Sequence, residues 1–141
     1  MDLPDVNLWL ALTDPNHSQH PTARHYWEEL RGDSIVFCRV TMLGLLRLAT
    51  SHTVMQGSPF SHKEIWGIYQ TYLAMPVASF LPEPAGVDSI FSILTEAPDF
   101  SHRLWTDAYL AAFAITSGCR LVSFDADFSR FPQLTFLQLK P

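Results

Sequence analysis

The 141-residue sequence predicts an α/β fold on a short central parallel sheet. Three observations predict it. Five short runs are apolar on both faces, as strands buried in a parallel sheet are. Between them the apolar spacing changes to the helical period. The two kinds of segment alternate, the pattern of strand–helix–strand units with right-handed crossovers.

The first strand is expected at 2–5 and leads into the helical run Val6–Leu10. Pro4 removes one ladder hydrogen bond, and its place at the end of the run keeps it compatible with a strand. Ala23, Tyr26, Trp27 and Leu30 follow the i, i+3, i+4, i+7 rule. The second strand is expected at 34–37, with a helix over 41–50 and a break at Gly57-Ser58-Pro59. Ile65, Trp66, Tyr69, Tyr72 and Leu73 form the next stripe, and strand three is expected at 77–80. After Pro82-Glu83-Pro84 comes the stripe Val87, Ile90, Phe91, Leu94 and Ala97, closed by Pro98-Asp99. Leu104, Ala108, Ala111, Ala112 and Ile115 mark a last helix ended by Gly118. Strands four and five are expected at 121–124 and 134–139.

Composition bounds the function. Hydrophobic residues make up 48%, enough for one core, and one domain is expected over 1–141. Charged residues are only 16%, so some apolar surface is expected to lie under a partner. A net charge of −5 argues against a broad electrostatic grip on nucleic acid. It leaves room for a nuclease whose acidic cleft is neutralised by metal ions. Two cysteines are far too few for a disulfide scaffold. No apolar run reaches the length of a membrane span. The acidic start Met1-Asp2-Leu3-Pro4-Asp5 is unlike a signal peptide, so a soluble cytoplasmic protein is expected.

The carboxylates carry the chemical signal. Ligands of open parallel sheets bind beyond the carboxyl ends of the strands. Asp5 ends the first expected strand, and Asp125 and Asp127 follow the fourth. Asp107 falls in the first turn of the last helix, about 40° from Ala111 at the edge of the apolar stripe. Carboxylates converging in a cleft repel one another and call for a cation. Oxygen-only ligands select a hard ion, Mg²⁺ or Mn²⁺. Such an ion polarises a phosphoryl group and lowers the pKa of the attacking water. Each Asp also has a plain structural reading as a turn former or helix cap. Asp127 is the weaker candidate ligand, because it sits two residues further on, where it points outward or serves as a cap.

The same residues resemble a known family. Leu3-Pro4-Asp5-Val6-Asn7-Leu8-Trp9 is similar to the opening of PIN-domain proteins, where an Asp ends strand one and an Asn follows two residues later. Trp105-Thr106-Asp107-Ala108-Tyr109-Leu110-Ala111-Ala112-Phe113-Ala114 resembles their T-D-A-x-L-A-x-x-A helix. Gly118-Cys119-Arg120-Leu121-Val122-Ser123-Phe124-Asp125-Ala126-Asp127-Phe128 resembles their G-x-x-L-V-T/S-x-D-x-D-F segment. Thr41-Met42-Leu43-Gly44-Leu45-Leu46-Arg47 is similar to the T-x-x-G-x-x-R segment of VapC toxins of VapBC-type modules.

The resemblance implies a three-layer α/β/α sandwich and an Mg²⁺- or Mn²⁺-dependent endoribonuclease that cuts structured RNA such as tRNA or rRNA. It also implies a homodimer held in check by a VapB-like antitoxin. Asp5, Asp107 and Asp125 would be catalytic and would hold metal together with Asp127. Asn7, Thr106 and Ser123 would orient carboxylates or water, or else serve only in capping and turn bonding. Arg47 would pair with a site carboxylate or the scissile phosphate, or else be an exposed helix arginine.

One position departs from the family. PIN domains place a Glu on the helix after strand two, whereas residues 42–45 here are Met42, Leu43, Gly44 and Leu45. No acid occurs between Asp33 and Glu64. Two readings follow: an enzyme working with the remaining acids, or a PIN-fold module that binds RNA or protein without cutting. Gly44, the best centred of the four, is expected to face the cleft, with packing against a neighbouring backbone as the alternative.

Other motifs are excluded. The six histidines show no zinc-ligand spacing. No Gly-rich phosphate loop is present, which argues against an NTPase. The tryptophans read as core or interface residues rather than base-stacking platforms.

Overall fold

The computed structural model describes residues 1–141. Strands β1 (Asp2–Pro4), β2 (Ile35–Phe37), β3 (Ala78–Phe80), β4 (Arg120–Ser123) and β5 (Phe136–Gln138) alternate with helices as the sequence predicts. The helices are α1 (Val6–Thr13), α2 (His20–His25), α3 (Arg39–Ala49), α4 (His62–Ala74), α5 (Val87–Leu94) and α6 (Trp105–Ser117). No helix is long and apolar enough to cross a membrane.

Two helical stripes depart from the regular α-helix that their apolar spacing suggests. The Ala23–Leu30 stripe passes from α2 into a π-helical turn over Tyr26–Leu30, closed by the Arg31 N–H on the Tyr26 carbonyl. The wider turn accompanies a buried bond from the Tyr26 hydroxyl to Asp2. The Val87–Ala97 stripe stops at Leu94, because the Thr95 hydroxyl and N–H take up the carbonyls of Phe91 and Ser92. Starts and stops elsewhere follow local chemistry. Ser61 and Glu64 form a reciprocal capping box on α4. Gly118, at φ 69°, ends α6 in the left-handed conformation that glycine adopts without strain.

The five strands are all parallel, in the order β3-β2-β1-β4-β5. Pro4 sits on the central strand at its last residue, where the ladder ends. Alternation along the strands sorts the side chains into two faces. Leu3, Val36 and Leu121 pack on one face with α6 residues Ala108, Ala111 and Ala114. Ile35 and Phe37 pack on the other with Trp9, Leu45, Ile65 and Tyr69 of α1, α3 and α4. Val122 joins that side against Leu8, Ala11 and Tyr26. The result is three layers, α/β/α. The chain builds outward from β1 through β2 to β3, then crosses back to β4 on the other side of β1. The order in which strands are added therefore reverses between β1 and β4, the place where such folds open a crevice at the carboxyl edge.

Gly44 does not face that crevice, which corrects the expectation. It is buried where α3 crosses α1, and a Cβ there would stand 2.5 and 2.9 Å from the two methyls of Val6. Helix–helix approach, not ligand space, explains the glycine. Among its neighbours, Met42 and Leu45 are core residues and Leu43 is exposed.

The amino edge of the sheet is tied by a buried ion. Asp2, 2% exposed, accepts from Arg120 Nε and Nη2, each at 2.9 Å, from the Tyr26 hydroxyl at 2.6 Å and from the Gly32 N–H at 2.9 Å. Burial pushes the Asp2 pKa up, but the bonds from Arg120, Tyr26 and Gly32 outweigh it, so the carboxyl sits below its usual range. Gly32 permits the approach, since a Cβ there would lie 3.2 Å from Asp2 Oδ1.

Candidate functional site

At the carboxyl edge the polar groups meet across β1 and β4. Asp5 follows β1 directly and is 8% exposed. Its Oδ1 accepts the Val6 N–H at 2.7 Å, capping α1. Its Oδ2 accepts from the Ser123 hydroxyl at 2.9 Å. Ser123, fully buried at the end of β4, in turn accepts the Asp125 N–H at 3.0 Å. Asp125 accepts the Asp127 N–H at 2.9 Å and so caps the 3-10 turn Ala126–Arg130. A chain of hydrogen bonds thus runs from Asp5 through Ser123 to Asp125 and Asp127.

Asp107 approaches from the first turn of α6, half-buried. Burial and the negative charges of Asp5, Asp125 and Asp127 push its pKa up to about 6, with the Arg130 charge opposing them. Burial likewise raises the Asp5 pKa, against the bonds from Ser123 and Val6, and the Asp125 charge adds to the rise. The four acids therefore share one electrostatic environment. Neither of the ion pairs in the structure involves any of them.

The supporting candidates divide. Ser123 lies at the centre of the network. Asn7 and Thr106 are exposed on the first turns of α1 and α6, and their side chains form no hydrogen bond within the chain. Arg47 is also exposed and pairs with no carboxylate; it lines a hollow between α3 and α4 beside Leu43 and Trp66. Of the tryptophans, Trp9 is core, while Trp66 and Trp105 are 46% and 51% exposed. His20 Nδ1 is bonded to the Ala11 carbonyl and His17 Nδ1 to the Gln19 N–H, local structural roles.

Two features had weak signals in the sequence. Thr41 is fully buried, its hydroxyl accepting the Cys38 N–H and donating to the Cys38 carbonyl where α3 leaves β2. Asp2 reads locally as an ordinary strand residue. Only its pairing with Arg120, 118 residues away, reveals its role.

The donor set is oxygen only. No three acids are drawn into a closed ligand cage. Their mutual repulsion, visible at Asp107, is what a small hard cation would relieve. Such an ion needs only one or two carboxylates when water and phosphate complete its shell. The residues therefore fit a divalent, oxygen-preferring ion better than zinc.

Comparison with known proteins agrees. A family model described as the PIN domain matches residues 3–134. Ribonuclease VapC41 of Mycobacterium tuberculosis is 35% identical over 136 residues, covering 93% of each chain. The M. tuberculosis toxin VapC20, described as cleaving the sarcin–ricin loop, has a TM-score of 0.72 at 17% identity over the full length of both chains. A toxin–antitoxin complex from Klebsiella pneumoniae aligns with a TM-score of 0.64 at 15% identity, covering 95% of each chain. The chain belongs to the PIN-domain family and, within it, to the VapC ribonuclease toxins.

Proposed function

We propose that this protein is an endoribonuclease that hydrolyses structured RNA, tRNA or rRNA, with Mg²⁺ or Mn²⁺ at the crevice between β1 and β4. The observation that supports this reading is Ser123, at the end of β4, bonded both to the Asp5 carboxylate and to the Asp125 N–H, with the charges of Asp5, Asp125 and Asp127 raising the pKa of Asp107. Asp5, Asp107 and Asp125 would hold the ion, and Asp127 adds charge at the rim. The ion supplies Lewis acidity and neutralises charge on the phosphodiester when bound. Ser123 fixes the Asp5 carboxylate by donating to Oδ2, while the α1 N-terminus holds Oδ1. Burial of Asp5 limits water around it and strengthens its electrostatic reach.

The substrate class is supported by VapC20, whose description names the sarcin–ricin loop. A cognate antitoxin and a homodimer are part of the same proposal. The Klebsiella complex and the exposed apolar side chains Leu43, Trp66, Ile93 and Trp105 support them. The apolar stretch 42–45 favours a second reading, an RNA- or protein-binding module that does not cut. Incubating total RNA with the protein and Mg²⁺, then mapping new ends, separates the two. Discrete new ends that vanish with EDTA support the enzyme; intact RNA with retained binding supports the module.

A further inference from the structure

The carboxyl edge of the sheet carries a basic residue on each side of the acids. Asp5 follows β1 and Asp125 stands two residues beyond β4, at the middle of the strand order. On one flank Arg39 stands two residues beyond β2, and on the other Lys140 stands two residues beyond β5. Register fixes both places. Asp2 pairs with Ile35, so Asp5 and Arg39 leave neighbouring strands at the same end. Ser123 pairs with Gln138, and the Leu139 N–H donates to the Ser123 carbonyl at 2.9 Å. Lys140 therefore leaves the sheet next to the residue that bridges Asp5 and Asp125. From β2 through β1 and β4 to β5 the edge measures about 14 Å, three intervals of ~4.8 Å. Arg39 and Lys140 are both exposed and neither forms an ion pair. The Arg39 guanidinium lies over the Phe80 ring at 4.5 Å, on the last residue of β3. That contact holds the charge at the edge without neutralising it, as a carboxylate would. Arg24 and Arg120, by contrast, are paired with Glu28 and Asp2, and Arg31 packs over Trp27 at the end of the π-helical turn.

An RNA strand is a polyanion, and a group of carboxylates repels it. A divalent ion among the acids offsets that repulsion at one phosphate only. Phosphates to either side need cations of their own, and a strand crossing the edge meets Arg39 on one side and Lys140 on the other. The planar guanidinium fork suits phosphate oxygens, and the Lys ammonium serves as a point charge. We infer that the RNA lies across the carboxyl edge, transverse to the β-strands, with the scissile phosphate between β1 and β4, one flanking phosphate on Arg39 and another on Lys140. At the ~3.4 Å spacing of stacked nucleotides the track holds about four. Two contacts make a narrow grip, in keeping with a net charge of −5. The track rests on the ribonuclease reading above.

The test uses the full chain carrying Asp5→Asn, so that RNA is bound and not consumed. The probe is a short fluorescein-labelled single-stranded RNA of mixed sequence, with affinity measured as salt is varied. Arg39→Gln and Lys140→Gln are each expected to weaken binding about fivefold at ~0.1 M salt. Each should reduce the slope of log affinity against log salt by about 0.7, the value for one lost phosphate contact on single-stranded nucleic acid. The double variant should reduce it by about 1.4. Arg39→Lys should keep the slope of the parent, which a merely structural role for Arg39 does not require. Arg31→Gln removes the same charge at the other edge of the sheet and should leave the slope unchanged. An equal reduction in Arg31→Gln overturns the track, because net charge then accounts for the effect. An unchanged slope in both Arg39→Gln and Lys140→Gln, while the chain with Asp5 restored still cuts RNA, overturns the track alone. A chain that neither binds nor cuts RNA overturns both readings.

Discussion

Asp5 serves the fold and the site at once. Its carboxylate caps α1 through Val6 and accepts from Ser123, and burial raises its pKa. A carboxyl whose folded pKa lies above its unfolded one loses stability as pH rises, so ionised Asp5 is a cost at neutral pH. Asp5→Asn keeps the Val6 contact through Oδ1 and removes the buried charge and its repulsion with Asp125, while the Ser123 contact reverses, the amide donating to Oγ. It should therefore abolish RNA cleavage while leaving the melting temperature equal to or above that of the parent. A clear drop in melting temperature would contradict this account of the site. Ser123→Ala tests the bridge from the other side. It leaves Asp5 Oδ2 and the Asp125 N–H without their partner. Chemical denaturation should show a loss of about 1–3 kcal/mol, with reduced cleavage. The acids were legible in the sequence because each stands within a residue or two of a strand end or helix start. For Ser123 the sequence left two readings open, orienting a carboxylate or only bonding a turn, because its partner Asp5 lies 118 positions away.

Helix α3 shows where periodicity stops informing. Its start is set by Cys38 and Thr41, and its apolar spacing places Met42, Leu45 and Ala49 in the core. Gly44 reads first as a position facing the cleft, and as a packing glycine only once α1 is in place. The Val6 methyls decide it. Gly44→Ala should destabilise by about 1–3 kcal/mol through overpacking, more than the roughly 1 kcal/mol gained in helix propensity. Gly44→Glu should lower the melting temperature further, both with and without Mn²⁺, and restore no ligand. Val6→Ala in the same chain should recover part of the loss, because the clash is with its methyls. If Val6→Ala brings no recovery, the clash lies elsewhere.

At the scale of the whole molecule, the sheet has a structural edge and a chemical edge. At the amino edge, Asp2 links β1, β4 and the π-helical turn. Its pKa is depressed in the fold, so its contribution is present above the unfolded carboxyl range and is lost as pH falls through the folded pKa. Asp2→Ala should cost on the order of 3 kcal/mol at neutral pH, because it leaves the Tyr26 hydroxyl without its partner and the Arg120 charge with only the Leu30 carbonyl. The stability gap between parent and variant should close in acid, below about pH 4; a gap independent of pH would rule out the ion pair as its source. At the carboxyl edge, divalent ions should stabilise the fold. Adding Mn²⁺ to EDTA-treated protein at a hundredfold excess over its Kd should raise stability by about 2.7 kcal/mol. The same addition to Asp5→Asn should give far less, and an equal gain in both would place the ion elsewhere.

The sequence by itself determined the order of strands and helices, the α/β class and the acids that stand at element ends. Those signals are local: a period of two or of 3.6 and a cap or turn residue act over a few neighbours. Tertiary structure decided that β4 lies beside β1, which brings Asp5, Ser123 and Asp125 into one crevice and pairs Asp2 with Arg120. It also decided that Gly44 serves the α1–α3 crossing and that Arg47 lines the hollow between α3 and α4 without pairing with a carboxylate. These outcomes depend on which surfaces meet after the chain has crossed the sheet, and residues far apart in sequence carry no local trace of that meeting.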